Sequence, residues 1–102
     1  MPHYVGSRSP EGVTLTVRTT AGFDLSAVTS GEITVRAPSG HYLTWDWTLQ
    51  SAQEHAAVFF HEYAADGSDV RHAGEYAFGG WVITSTTRRR IHSVSVTYER
   101  YP

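Results

Sequence analysis

A strict two-residue alternation restricts this chain's fold more than any other feature. Val13, Leu15 and Val17 alternate with Thr14, Thr16 and Arg18, which places the apolar side chains on one face of an extended segment and the polar ones on the other. Such a segment must bury one sheet face and wet the other. The period returns in Ile33, Val35 and Ala37 against Glu32, Thr34 and Arg36, and again in His92, Val94, Val96 and Tyr98 against Ser93, Ser95 and Thr97. Ten Val, three Ile, twelve Thr and thirteen aromatics against four Leu and one Met are the residues that pack well on a pleated surface. The expected class is therefore all-β: an antiparallel β-sandwich of six or seven short strands, with turns every 8 to 12 residues or so.

With 102 residues the chain has room for one core. Residues 1–11 carry two prolines, a glycine and two serines, the composition of an N-terminal arm with a short edge strand at Tyr4 and Val5, able to dock onto a neighbour. Residues 12–102 form the sandwich domain. Pro38-Ser39-Gly40 closes a hairpin, and the returning strand is expected over His41 to Leu49, with Leu43, Trp45, Trp47 and Leu49 facing the core. Residues 51–65 read two ways. Ser51 and Glu54 form a capping-box pattern with Ala52, Ala56, Phe59 and Tyr63 at helical spacing, whereas Ala57-Val58-Phe59-Phe60 before Asp66-Gly67 suits a buried strand. The strand is preferred, because a lone helix here would need its own packing surface. A long strand follows over Gly74 to Thr84, where a bulge at Gly79-Gly80 would reverse the facing. Ser85 to Arg88 form the last turn.

Eight basic against ten acidic residues leave a formal net charge of −2, too balanced for a protein built on nucleic-acid phosphates. With no cysteine, disulfides, thiolate metal sites and cysteine nucleophiles are excluded. Every basic residue is Arg, which removes Schiff-base chemistry and the phosphate-loop lysine. There is no membrane-length apolar run and no signal-like start after Met1, so the chain reads as soluble and unprocessed. His55 and His61 would stand ~20 Å apart on a strand, too far to share an ion. His61-Glu62-Tyr63-Ala64-Ala65 lacks the second histidine of a zincin, and the six histidines read as surface and strand-end residues. Asp66 and Asp69 read as loop carboxylates rather than calcium ligands, and Glu54 with Glu62 gives only weak grounds for an acid/base pair. No nucleophile elbow is present. No catalytic residue, metal site or cofactor is therefore expected, and the chain reads as a non-enzyme. Trp45 and Trp47 resemble a sugar-stacking platform, but Leu43 and Leu49 extend that face into an apolar stripe, so core packing is the stronger reading.

The features left over point to contact. Phe59 and Phe60 are adjacent, so on a strand one ring faces each side of the sheet. Trp81 opposes Tyr76 in parity unless the glycine pair shifts it. Exposed aromatics mark contact surfaces, and cover by the arm or a loop is the equal alternative. Arg88-Arg89-Arg90 is the one charge run and is expected at a solvated hairpin tip, with an anionic partner as second reading. The candidate interface residues are Tyr4, Phe60, Trp81, Arg88, Arg89 and Arg90.

The order of motifs carries a resemblance. Val13-Thr14-Leu15-Thr16-Val17, Asp24-Leu25-Ser26-Ala27-Val28, Ile33-Thr34-Val35-Arg36-Ala37-Pro38-Ser39-Gly40 and Ala73-Gly74-Glu75-Tyr76 resemble the immunoglobulin-like β-sandwich domains of tailed-bacteriophage virion proteins. The N-terminal domain of phage baseplate upper proteins is the nearest in kind. The likeness spans roughly residues 12–99, with Ala65-Asp66-Gly67-Ser68-Asp69-Val70 at the acidic-glycine loop. It implies an immunoglobulin-like sandwich of about seven strands, and a non-enzymatic structural subunit of the tail, neck or baseplate, or a head decoration. It implies a virion location after assembly in the host cytoplasm. The implied partners are other virion structural proteins and copies of itself, with no nucleic acid and no membrane. Such a domain is normally one module among several, and standing alone it is expected to act as an accessory or joining subunit. A carbohydrate-binding β-sandwich module is the alternative.

Overall fold

Residues 3–18 and 23–100 are described by a computed structural model of the chain. The alternation at its start becomes strand β2 (Gly12–Arg18), whose Val13, Leu15 and Val17 are buried while Thr14, Thr16 and Arg18 are exposed. Before it, β1 (His3–Tyr4) is a two-residue strand. After it, Asp24 accepts a hydrogen bond from the Ser26 N–H at 2.9 Å and caps a 3-10 turn at Leu25–Ala27, which buries Leu25. Strand β3 (Val28–Arg36) follows, then β4 (Tyr42–Leu43), β5 (Thr48–Ala52), β6 (Ala56–Glu62), β7 (Gly74–Thr84) and β8 (Arg88–Glu99). The chain is all-β, in two sheets. One has five strands in the order β1-β8-β7-β3-β4, the other three in the order β2-β6-β5. Every pairing is antiparallel except β1 with β8, which is parallel, so the larger sheet is mixed. Among the described residues no helix is long and apolar enough to cross a membrane.

The preferred strand over 51–65 is present as β6. The expected single strand over 41–49 is instead two short strands in different sheets: β4 pairs with β3, and β5 with β6. Residues 44–47 cross between the layers there and carry Trp45 and Trp47 into the interior. Both rings pack in the core, Trp45 fully buried and Trp47 partly. The register shifts between Phe78 and Gly80 of β7, as the glycine pair suggests, but the extra residue lies on β8, where Phe78 faces Val94 and Gly80 faces Ile91. Facing therefore reverses in β8, not β7. Tyr76, Phe78, Val82 and Thr84 all stay inward, and Trp81 stays on the outer face.

The arginines also differ from expectation. The last turn closes at Thr84, whose N–H donates to the Thr87 carbonyl at 2.8 Å, so Arg88, Arg89 and Arg90 open β8 rather than form a hairpin tip. Between the sheets Phe59, Phe78, Tyr76, Tyr98, Leu25, Val35, Val70 and Val82 are almost completely buried. Gly31 leaves the space that Phe59 fills: a Cβ there would stand 2.9 Å from the ring.

Candidate contact surfaces

The interior explains most of the polar chemistry. His61 has the same parity as Ala57 and Phe59, so its imidazole points inward, 6% exposed, and stacks on Trp45 at 4.6 Å between centroids. It is not a surface histidine. Its Nδ1 lies 2.7 Å from the Asp46 carbonyl and its Nε2 2.8 Å from Asp69 Oδ2, so both ring nitrogens face acceptors. Asp69 also accepts the Ala64 N–H at 2.8 Å. The acidic loop thus ties the end of β6 to the core. Asp66 and Asp24 act as local caps: hydrogen bonds from Ser68 and Ser26 hold their carboxyls below the ordinary aspartate range. Tyr63 and Tyr98 share a 2.6 Å hydroxyl–hydroxyl hydrogen bond between the layers. Burial pushes both phenols above their usual range, and for Tyr98 the bond to Tyr63 adds to it. Among the described residues no three His, Asp or Glu side chains converge on a metal-sized point. The Trp47 Nε1–H is buried without an acceptor among those residues.

The six candidate interface residues do not form one patch. Trp81, Arg88 and Arg90 come together on the outer face of the five-stranded sheet, with the two guanidinium carbons 4.6 and 5.2 Å from the indole centroid. Arg88 also pairs with Glu32 at 2.8 Å. Arg89 has the opposite parity and lies 4.8 Å from the Phe23 centroid. Phe60 sits on the outer face of the other sheet, half-buried, where it covers Gly12: a Cβ on that glycine would meet the ring at 2.3 Å. Tyr4 lies in β1 against Glu99, at the other end of β8 from the arginines.

Two surfaces were not evident in the sequence. The first is the β8 edge. β1 pairs only with Tyr98 and Glu99, so from Arg88 to Thr97 the side of β8 away from β7 has no strand partner among the described residues. β2 ends the other sheet on the same side, and the seam between β2 and β8 holds cavities of ≈ 250 and ≈ 210 Å³. Leu15, Val17, Leu25, Val82, Ile91 and Val94 line them, and Val94 is one of two large apolar side chains exposed to solvent among the described residues. The second is a trough on the outer face of the larger sheet, beside Tyr42 and Trp81. For the first, the alternation of Val94, Val96 and Tyr98 marks β8 as a strand but does not tell which of its sides lacks a partner. Only the pairing of β4 with β3 reveals the second.

Comparison with family models, curated proteins and solved structures finds no match to this chain.

Proposed function

We propose that this protein is a non-enzymatic structural subunit of a tailed-phage or phage-like particle that acts through protein–protein contacts. The single observation that carries the contact role is the unpaired stretch of β8 from Arg88 to Thr97, beside the apolar seam to β2. Such an edge presents a row of backbone donors and acceptors to another strand. β1 occupies the far end of the same edge: His3 and Tyr4 lie against Tyr98 and Glu99, beyond the unpaired stretch, and the Val5 N–H continues the ladder to the Glu99 carbonyl at 2.9 Å. The ionisable groups that meet inside the fold are engaged in structural contacts, as His61 is with Asp69, which supports a contact role over a catalytic one. The assignment to a particle rests on the motif order of residues 12–99. The immunoglobulin-like topology, the virion location and partnership with copies of itself and other virion proteins belong to the same reading.

Two measurements test it. Quantitative mass spectrometry of purified particles should find the protein at a fixed stoichiometry to other structural proteins, with cross-links concentrated on β8; its absence from them sinks the particle role. Val94→Lys, placing a charge at the seam, should abolish those cross-links and leave the isolated domain folded by circular dichroism. Unchanged cross-linking would move the contact elsewhere.

A further inference from the structure

On the outer face of the larger sheet lies an open trough of ≈ 750 Å³, within the size range of small-ligand sites. Its floor is Gly79-Gly80, and a Cβ on Gly79 would meet nothing nearer than Thr34 Oγ1 at 3.9 Å. Trp81 with Arg90 stands at one end and Tyr42 at the other. Tyr42 is 71% exposed, the most exposed large ring in the described chain, with Arg36 6.0 Å from its centroid. Glu32, Thr34, His92 and Ser93 place carboxylate, hydroxyl and imidazole groups along the rim.

We propose that this trough binds an acidic oligosaccharide, with a sugar ring on Tyr42 and a carboxylate at Arg90. Three observations select that occupant. The floor strand β7 is paired on both sides, by β3 and β8, so an extended peptide laid there would find no free backbone groups. Its polar partners are side chains ranged about aromatic rings, which suits hydroxyl pairs on a pyranose and the ring's apolar C–H face. The charge is unbalanced: Glu32 is taken by Arg88, whereas Arg90 has only the Trp81 face and no carboxylate within ion-pair distance among the described residues. An anionic sugar completes it. Arg90, His92 and Ser93 belong to the β8 stretch as well as to the trough, but Tyr42 on β4 and Gly79 on β7 lie outside that stretch, so variants at those two positions test this site separately from the particle role.

Calorimetric titration of the whole chain with trigalacturonate and with uncharged maltotriose tests the site. Trigalacturonate should bind with Kd of about 0.1–1 mM, and about tenfold tighter than maltotriose at low salt, the gap closing as ionic strength rises. Tyr42→Ala should weaken trigalacturonate about tenfold. Arg90→Gln should erase the preference for the charged sugar. Gly79→Val, which fills the floor with a good strand former, should abolish binding while thermal unfolding shows the fold intact. Absence of binding by either sugar, equal affinity for the two, or binding that survives Gly79→Val overturns the proposal. Binding of hexaglutamate that competes with trigalacturonate and is lost in Gly79→Val also overturns it, in favour of an acidic peptide.

Discussion

Two adjacent glycines have opposite reasons for being glycine. Gly80 has φ of +122° and its backbone faces the Glu32 carbonyl, where a Cβ would stand 1.9 Å from the oxygen. Gly80→Ala should therefore cost about 2 kcal/mol or more, since both the backbone conformation and the space forbid a side chain. Gly79 is free of both constraints, so Gly79→Ala should change stability by less than about 0.5 kcal/mol. Urea unfolding of the two variants checks the contrast, and equal losses would contradict it. The His61–Asp69 pair is the other residue on which the fold leans. Asp69→Ala leaves both the His61 Nε2 and the Ala64 N–H without their partner, a loss of about 2 kcal/mol. Adding His61→Leu to it should cost less than the sum of the single changes, because the two groups act as a unit.

At the level of elements, alternation made β2 and β6 readable throughout and β3 and β8 readable in part. The buried set keeps one parity along β2 and β6, over Ile33 and Val35 in β3, and only beyond the bulge, at Val96 and Tyr98, in β8. Alternation also held the inward direction of His61, which shares its parity with Phe59, although histidines weighed only as metal ligands are expected at the surface or a strand end. The division of 41–49 into β4 and β5 was not readable, since a strand that changes sheets keeps its period while changing its partner. Nor did the glycine pair reveal which strand holds the extra residue, because a bulge is a property of two strands and the sequence shows one at a time. The trough depended on both missing facts: β4 brings Tyr42 beside β3, and the unreversed β7 keeps Trp81 outward. Phe60 shows the same limit, for its cover comes from the neighbouring strand at Gly12. Phe60→Ala should uncover that glycine and cost about 1–2 kcal/mol, visible as a lower urea midpoint in the isolated domain. An unchanged midpoint would show that the ring contributes nothing to the fold.

Across the whole molecule, the two sheets are tied by polar as well as apolar contacts, and the tie has a pH limit. Tyr63 follows β6 of the smaller sheet and Tyr98 ends β8 of the larger, so their 2.6 Å bond joins the layers. Both are almost fully buried, which raises both phenols above the value of 10.0 that they take in the unfolded chain. The two hydroxyls share one bond in which either can donate, so the phenols titrate as a pair. Above pH 10 the unfolded chain has released protons that the folded one retains, and stability must fall as pH rises. Below that value this contribution is fully present. Each tyrosine then removes up to about 1.4 kcal/mol per pH unit. Urea unfolding between about pH 8 and pH 11 should show a level region followed by a steep decline. Tyr98→Phe should be less stable by about 1 kcal/mol at neutral pH, having left the Tyr63 hydroxyl alone, yet decline less steeply above pH 10. A variant that keeps the full alkaline slope would show that the two phenols do not govern how the layers separate.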